Sequence, residues 1–486
     1  MKVGIIGSGV GGMATAIRLA KLGMDVTVFE ANSFTGGKIN ELKLGHYRFD
    51  RGPSVFTEPE LIDELIELVG EDKSIFKYQY LAESCRYFYP DGQQVTLPSG
   101  RKETAQTLEK ELGENSKTVE EFLGNMEKNY KAVYPVFISA SLHRTSQWLN
   151  KYVPAALLRL PKYGLFDTMN SINERIFKNP KTVQIFNRLA TYNGSSPYLT
   201  PGMLNIISHL EMNRGPALPF GGMVSISKTL RTLAEKSNIK IHLSERVEEI
   251  IIREKKVVGL RTSKSDFIPF DLVVSNMDVH YTYERLLPNV PQPKENLNQE
   301  KSSSAIVFYW GIKQKFNELG VHNIFFSKNY SSEFENIFQE KKLSDDCTIY
   351  VHITSKVEKS DAPEYGENWF VMVNAPINIG QDWETVVQQT RNALIKRLSE
   401  QLNCSLSELI EEEAVMDPRD LEQMYFGKQG SIYGNASNNR MAAFYRHPNF
   451  SKTIKGLYFA GVTVHPGGGI PLALNSARII EKLVSS

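Results

Sequence analysis

The sequence predicts an α/β protein in three parts: a discontinuous Rossmann-like domain, a mixed-sheet domain interleaved with it, and a helical cap. Three observations predict this. The first thirty residues run from an apolar strand through a glycine-rich turn and a helix to a second strand closed by an acid. The last thirty pass from a strand through a second glycine-rich loop into a helix. Between these ends, alternating or wholly apolar runs bounded by turn residues read as strands of another sheet.

Composition narrows the possibilities. At about 150 residues per domain, 486 residues make two or three domains with a core that needs no disulfides. Lys and Arg total 56 against 55 Asp and Glu, and this balance excludes a nucleic-acid binder held mainly by phosphate contacts. With 41% hydrophobic and 23% charged residues the chain is expected to fold rather than stay disordered. The cysteines, Cys85, Cys347 and Cys404, lie far apart; they exclude a Cys-only zinc cluster and suit a reducing compartment. None of the nine histidines pairs closely at ligand spacing, so no metal is expected. The apolar run after Lys2 is broken by Gly4 and Gly7, which argues against a secretion signal. The uncharged stretches 189–208 and 456–477 are interrupted by Gly, Pro, Asn or Ser, so neither reads as a membrane span. The expected location is cytoplasmic, with any membrane contact peripheral and made at the inner face.

Taken in order, residues 2–6 form a buried strand, 10–22 a helix and 25–29 a second strand. Gly7, Gly9 and Gly12 between them fit G-x-G-x-x-G. Gly7 permits the tight turn, Gly9 lets backbone approach a pyrophosphate, and Gly12 lets helix and strand pack closely. The helix N-terminus offers free amides to the phosphates. Glu30, 18 residues after Gly12, stands where an acid accepts hydrogen bonds from ribose hydroxyls. Together these predict dinucleotide binding. Thr35-Gly36-Gly37-Lys38 follows, and then Phe49-Asp50-Arg51-Gly52-Pro53. A glycine pair and a cation just past the ribose acid resemble the extended flavin-binding signature of the amine-oxidase-like flavoproteins. That resemblance places Gly37, Lys38, Gly52 and Pro53 at an FAD, with Lys38 toward its phosphates.

At the other end, 456–461 reads as a strand, 464–471 as a glycine loop carrying His465-Pro466-Gly467-Gly468-Gly469-Ile470-Pro471, and 472–484 as the closing helix. A glycine loop feeding a helix N-terminus suits the far side of the same cofactor. This loop, with Asn475-Ser476-Ala477 after it, resembles the closing motif of bacterial phytoene-desaturase-type carotenoid desaturases. Pro219-Phe220-Gly221-Gly222-Met223 and Gly430-Ser431-Ile432-Tyr433-Gly434 resemble that family's central motifs. The resemblance adds Val247, Asn276, Gly461, Gly468, Gly469 and Ile470 to the FAD contacts, with Val247 against the adenine. It divides the chain into an FAD domain of 1–75, 215–285 and 441–486, and a substrate domain of 76–214 and 286–440.

The remaining elements fit this division. Residues 239–243 read as a strand, 246–253 and 257–262 as a hairpin, and 271–275 as a strand leading to Asn276. In the substrate domain, 86–89 and 94–97 flank the turn Pro90-Asp91-Gly92. Strands of one sheet are expected at 304–312, 322–326, 348–354 and 369–374, and a surface helix at 384–402. Residues 131–166 hold five Lys or Arg, no Asp or Glu and six aromatics. That composition suits a cap lying on a membrane surface.

The resemblance implies a reaction that removes a hydride and a proton from adjacent carbons of a carotenoid. A hydrocarbon is held by apolar burial and tunnel shape, which agrees with the lack of any triad or metal cluster in the sequence. The polar run Gly434-Asn435-Ala436-Ser437-Asn438-Asn439-Arg440 departs from the apolar version expected of a phytoene desaturase. It points toward the hydroxycarotenoid 3,4-desaturase branch. Phytoene or diapophytoene desaturation, isomerisation and terminal oxidation stay open, as does the more distant reading of a prenyl-binding escort protein. The family motif makes His465 the first candidate for the proton acceptor. His143, His209 and Glu211 are weaker candidates, and an ordered carboxylate or water is the remaining choice.

Overall fold

Strand Lys2–Ile6 is buried along its length after Lys2, and its apolar residues leave no polar face. Such a strand belongs inside a parallel sheet covered on both sides. In a computed structural model, which describes residues 1–485 and all their side chains except those of Ser146 and Gln147, it is the centre of a five-stranded parallel sheet. The order is Leu457–Phe459, Leu272–Ser275, Lys2–Ile6, Asp25–Phe29 and Lys240–His242. Three widely separated segments thus supply one sheet, as the discontinuous motifs predict. Helix Val10–Lys21 packs between this sheet and helices Val224–Lys236 and Ile470–Ser485. Residues Val10 to Leu19 are all buried, which the Gly, Ala and Met on this helix make possible. Its buried Arg18 bridges to Glu64 at 2.6 Å and Glu481 at 2.8 Å, tying three helices together.

The expected hairpin at 246–262 is a three-stranded meander. Val247–Arg253 and Lys256–Thr262 pair antiparallel, and Ser265–Pro269 adds a third strand that its mixed polarity hides in the sequence.

The four expected strands of the second sheet all lie in one sheet, which has seven strands. The order is Ile410–Met416, Ser304–Ile312, Glu367–Ala375, Ile349–His352, His322–Phe325, Glu83–Phe88 and Gln94–Pro98. The expected hairpin at 86–97 is therefore its far edge. It joins through a parallel pairing of Phe325 with Phe88, and all other pairs are antiparallel. Side-chain alternation gives the sheet two apolar faces. Phe308, Trp310, Phe325, Val351 and Trp369 face helix Trp383–Leu402, whose Trp383, Leu394 and Leu398 close that core. Tyr87, Tyr309, Ile324, Tyr350 and Phe370 face the other way, toward the helices of residues 101–213. The fold is thus the α/β architecture read from the sequence, with mixed-sheet and helical parts. Among the described residues no helix is long and apolar enough to cross a membrane.

Candidate active site

The turn after the first strand is made by close approach. Gly7 has φ +90°, and a Cβ on Gly12 would stand 2.2 Å from the Gly7 carbonyl oxygen. Strand and helix meet at a distance only glycine allows. Gly9 is the helix N-cap, no side chain caps the first turn, and no acid stands in it. Gly9, Val10 and Gly11 line a cavity of about 760 Å³, so the uncapped first turn opens on that space.

Gly7, Gly9, Glu30, Gly37, Lys38, Gly52, Pro53, Val247, Asn276, Gly461, Gly468, Gly469 and Ile470 all line this cavity. Of the residues expected at the cofactor only Gly12 does not, because its place is under the turn. Glu30 is buried and already organised: Oε2 accepts from the Ser8 amide and hydroxyl, each at 2.8 Å, and Oε1 accepts from the Asn32 amide at 2.9 Å. Asn276 is the hinge of the cradle. Its side chain lies within 2.6–2.8 Å of where a Cβ would stand on Gly9, Gly11 or Gly461, so the absence of side chains there lets the two loops close around it as it stands. Lys38 donates through Nζ to the Ile432 carbonyl at 2.6 Å, and burial pulls its pKa down to about 8.

These residues fit a dinucleotide flavin. A second helix start, at Ile470, faces the same cavity. Beside the second glycine loop, Arg446 is buried on the cavity wall. No carboxylate pairs with it among the described residues, its Nη1 has no partner, and only Ser437 Oγ accepts from Nη2, at 3.1 Å. Burial lowers its pKa to about 10. A guanidinium left so exposed to desolvation matches an anionic ligand group. Sequence reading missed Arg446, since a lone Arg before His-Pro carries no motif.

His465 is brought to the glycine loop but not to the cavity wall. Its ring is fully buried behind the loop, where Nε2 donates to the Ala140 carbonyl at 2.8 Å. Burial lowers its pKa to about 3, so the ring stays neutral. Its own carbonyl accepts from Asn449 Nδ2 at 2.7 Å. These bonds brace the loop against the cap. His143 lies edge-on to His465 with ring centroids 5.6 Å apart, and Arg144 lies over the Phe450 ring. His209 is buried against Tyr130, off the wall.

The acids on the wall are different. Glu211 lines the cavity, paired with Arg188 and Tyr192. Glu58, which the sequence does not single out, also lines it. It is buried, accepts a hydrogen bond from Tyr130 Oη at 2.5 Å, and burial raises its pKa. Nothing local marks Glu58; its position comes from the turn that starts helix Glu60–Val69.

Beyond this polar end the walls are mainly apolar. Ile206, Ile207 and Leu210 from the cap face Ile324, Phe370 and Met372 from the sheet. The mouth is framed by Trp148, Leu157, Leu160 and Tyr163. Around it Leu149, Leu158 and Phe166 are 89%, 84% and 77% exposed, with Lys151 and Lys162 beside them. Large apolar side chains this exposed are the exception on a protein surface.

Residues 10–479 match the model of the flavin-containing amine oxidoreductase family. The chain is 44% identical over 480 residues to a 1-hydroxycarotenoid 3,4-desaturase of Flavobacterium sp. (strain P99-3), covering 99% of this chain and 98% of that protein. It is 30% identical over 484 residues to a 4,4'-diaponeurosporene oxygenase of Staphylococcus aureus (strain MSSA476), covering 99% and 97%. Among solved structures, cyclohexylamine oxidase from Brevibacterium oxydans IH-35A superposes with a TM-score of 0.61 at 15% identity, over 100% of this chain and 99% of that one.

Proposed function

Because the chain belongs to the family of flavin-containing amine oxidoreductases, and its glycine cradle is that of a dinucleotide, we propose that this FAD enzyme is a carotenoid desaturase that forms the 3,4 double bond of a 1-hydroxylated carotenoid. The observation that carries the reading is the cavity. It joins the dinucleotide cradle to an apolar channel that opens among exposed leucines, which suits a long hydrocarbon and offers an amine little. The relative at 44% identity, named for that reaction, supports the same substrate class.

When bound, FAD supplies the two-electron acceptor for the C–H bond that breaks. The chain does the rest. Ile206, Ile207, Leu210 and Phe370 hold the polyene by burial and keep water from the reacting carbons. Glu58 takes the second hydrogen as a proton. Glu30, Glu58 and Asp278 are buried carboxylates on the wall without an ion pair to a described residue; of these, burial raises the pKa of Glu58, which makes it a better base than an exposed glutamate. Tyr130 fixes the carboxylate's orientation through the bond to Oε1. His465 is a positioning residue that holds the glycine loop on the cap. The exposed Leu149, Leu158 and Phe166, flanked by Lys151 and Lys162, support a reading in which the mouth meets a lipid surface from which the substrate is drawn.

The relative named as an oxygenase favours a second reading, oxidation of a terminal methyl group. One experiment separates them. Purified protein, FAD and liposomes are incubated with hydroxylated and non-hydroxylated linear carotenoids, and products are read by absorbance and mass. Loss of two mass units with a red shift on a hydroxylated substrate is expected. Gain of oxygen supports the second reading, and no change on any substrate overturns both.

A further inference from the structure

A cavity for a hydrocarbon has no need of buried charge, yet one part of this wall carries it. Arg188, Tyr192 and Glu211 all line the cavity. Arg188 and Glu211 are both buried and form an ion pair, and Tyr192 Oη donates to the other oxygen of Glu211. Behind them Arg188 also donates to Tyr87 Oη at 3.0 Å, and its cation lies over the rings of Tyr87 and Tyr192 at 5.5 and 5.7 Å. The Nε of Arg188 is buried and finds no partner among the described residues. Desolvating an ion pair costs more than an apolar pair of the same size. If the pair served only to pin the cap to the sheet, the contact through Tyr87 would suffice and the cavity wall could be aliphatic.

We propose that Arg188, Tyr192 and Glu211 form a hydroxyl-binding subsite that recognises the 1-hydroxyl of the carotenoid and fixes which carbons stand at the cofactor. The proposal deepens the desaturase reading and takes its substrate class from it. A hydroxyl is a donor and an acceptor at once. The cluster offers both kinds of partner: an N–H of Arg188, and the oxygens of Glu211 and Tyr192. Another buried cation on the wall, Arg446, has only the Ser437 hydroxyl beside it and suits an anion. The proposal also fixes a position. C3 and C4 lie within about 5 Å of a hydroxyl on C1, at ~1.5 Å per bond, so the subsite must adjoin the reacting centre and not the far end of the channel. Tyr350, on the wall next to this cluster, meets Ser54, the neighbour of the expected cofactor residues Gly52 and Pro53. Its hydroxyl is held by His322 Nδ1 at 2.7 Å.

The test uses the FAD-loaded enzyme with a matched pair, a 1-hydroxylated carotenoid and its deoxy counterpart. Binding is followed by quenching of tryptophan fluorescence and turnover by mass. The wild type should prefer the hydroxylated partner. Tyr192→Phe, which removes one oxygen and keeps the ring, should cut that preference about tenfold, in line with the loss of one hydrogen bond to a charged network. Replacing both charges, Arg188→Met with Glu211→Leu, should bring it close to unity without leaving a lone buried charge. A preference held within twofold in Tyr192→Phe overturns the subsite even where the double variant does not fold. Turnover of neither substrate by the wild type overturns the desaturase reading; the binding preference then decides the subsite by itself.

Discussion

Two glycines three residues apart in the same motif should fail in different ways when each is given a methyl group. On Gly12 the new Cβ would stand 2.2 Å from the Gly7 carbonyl oxygen, with Asn276 Cβ at 3.1 Å. That is roughly 1 Å short of van der Waals contact with a backbone atom. The carbonyl cannot rotate away, since it belongs to the turn that follows the central strand, and the Gly7 amide is tied to the Phe29 carbonyl. The helix must move instead, yet Val10 to Leu19 are all buried against the sheet and two neighbouring helices. Gly12→Ala should therefore destabilise the protein at the upper end of the ~1–3 kcal/mol range of overpacking. On Gly9 the Cβ meets only the amide tip of Asn276, at 2.8 Å, with the next atom at 3.9 Å. That tip swings on a side chain, so Gly9→Ala should keep the apo fold and lose affinity for FAD, its methyl standing at the helix N-cap on the cavity wall. The assays are circular-dichroism melting without added cofactor, and FAD titration followed by flavin fluorescence. The reasoning fails if Gly12→Ala melts with the wild type, or if Gly9→Ala binds FAD with unchanged affinity.

Other predictions follow from the same geometry. Glu30→Ala removes the acceptor of the Ser8 and Asn32 amides and should weaken FAD binding by about 1–3 kcal/mol, read by the same titration; unchanged affinity excludes Glu30 from the cofactor site. Glu58→Gln should lower kcat by roughly 10²–10⁴ with full FAD content, and wild-type turnover would falsify its role as proton acceptor. His352 is buried, stacked on His322 at 4.9 Å, and its pKa falls to about 3. The unfolded chain binds a proton here below pH ~6.5 and the folded chain does not, so stability drops as pH falls from ~6.5 toward ~3, by about 1.4 kcal/mol per unit. In His352→Phe the slope of urea stability between pH 6 and 4 should be shallower by that amount. Leu158→Asp with Phe166→Asp should abolish flotation with liposomes while leaving the melting temperature near the wild type, since both side chains are exposed; retained flotation places the membrane contact elsewhere.

Much of the architecture was legible because it is written in local periodicity. The strand at 2–6, the glycine turn, the helix, the strand at 25–29 and Glu30 form one continuous stretch whose parts contact each other, so spacing alone implies geometry. The second glycine loop and its helix are equally local. The meander strand Ser265–Pro269 was not legible, because it is half exposed and lacks alternation. Nor was the joining of Glu83–Phe88 to the seven-stranded sheet, since strand partners are chosen by distant surfaces.

The site divides the same way. The amino-acid sequence by itself determined that a dinucleotide binds and where its glycines stand, while the flavin and the apolar substrate came from the resemblance of its motifs to a known family. The first two depend on backbone conformation and composition, which single residues control. The tertiary structure decided which side chains line the cavity. His465 stands in the most specific motif of the chain, yet its ring turns away because Ala140, 325 residues earlier, offers the carbonyl that a buried imidazole requires. Glu58 reaches the wall because Tyr130 awaits it from another helix. Arg188 and Glu211 become a subsite only where the cap folds over Tyr87, 101 residues before Arg188. A side chain's direction is set by the partner that satisfies its polar atoms, and that partner is fixed by packing between remote segments and not by the neighbours in sequence.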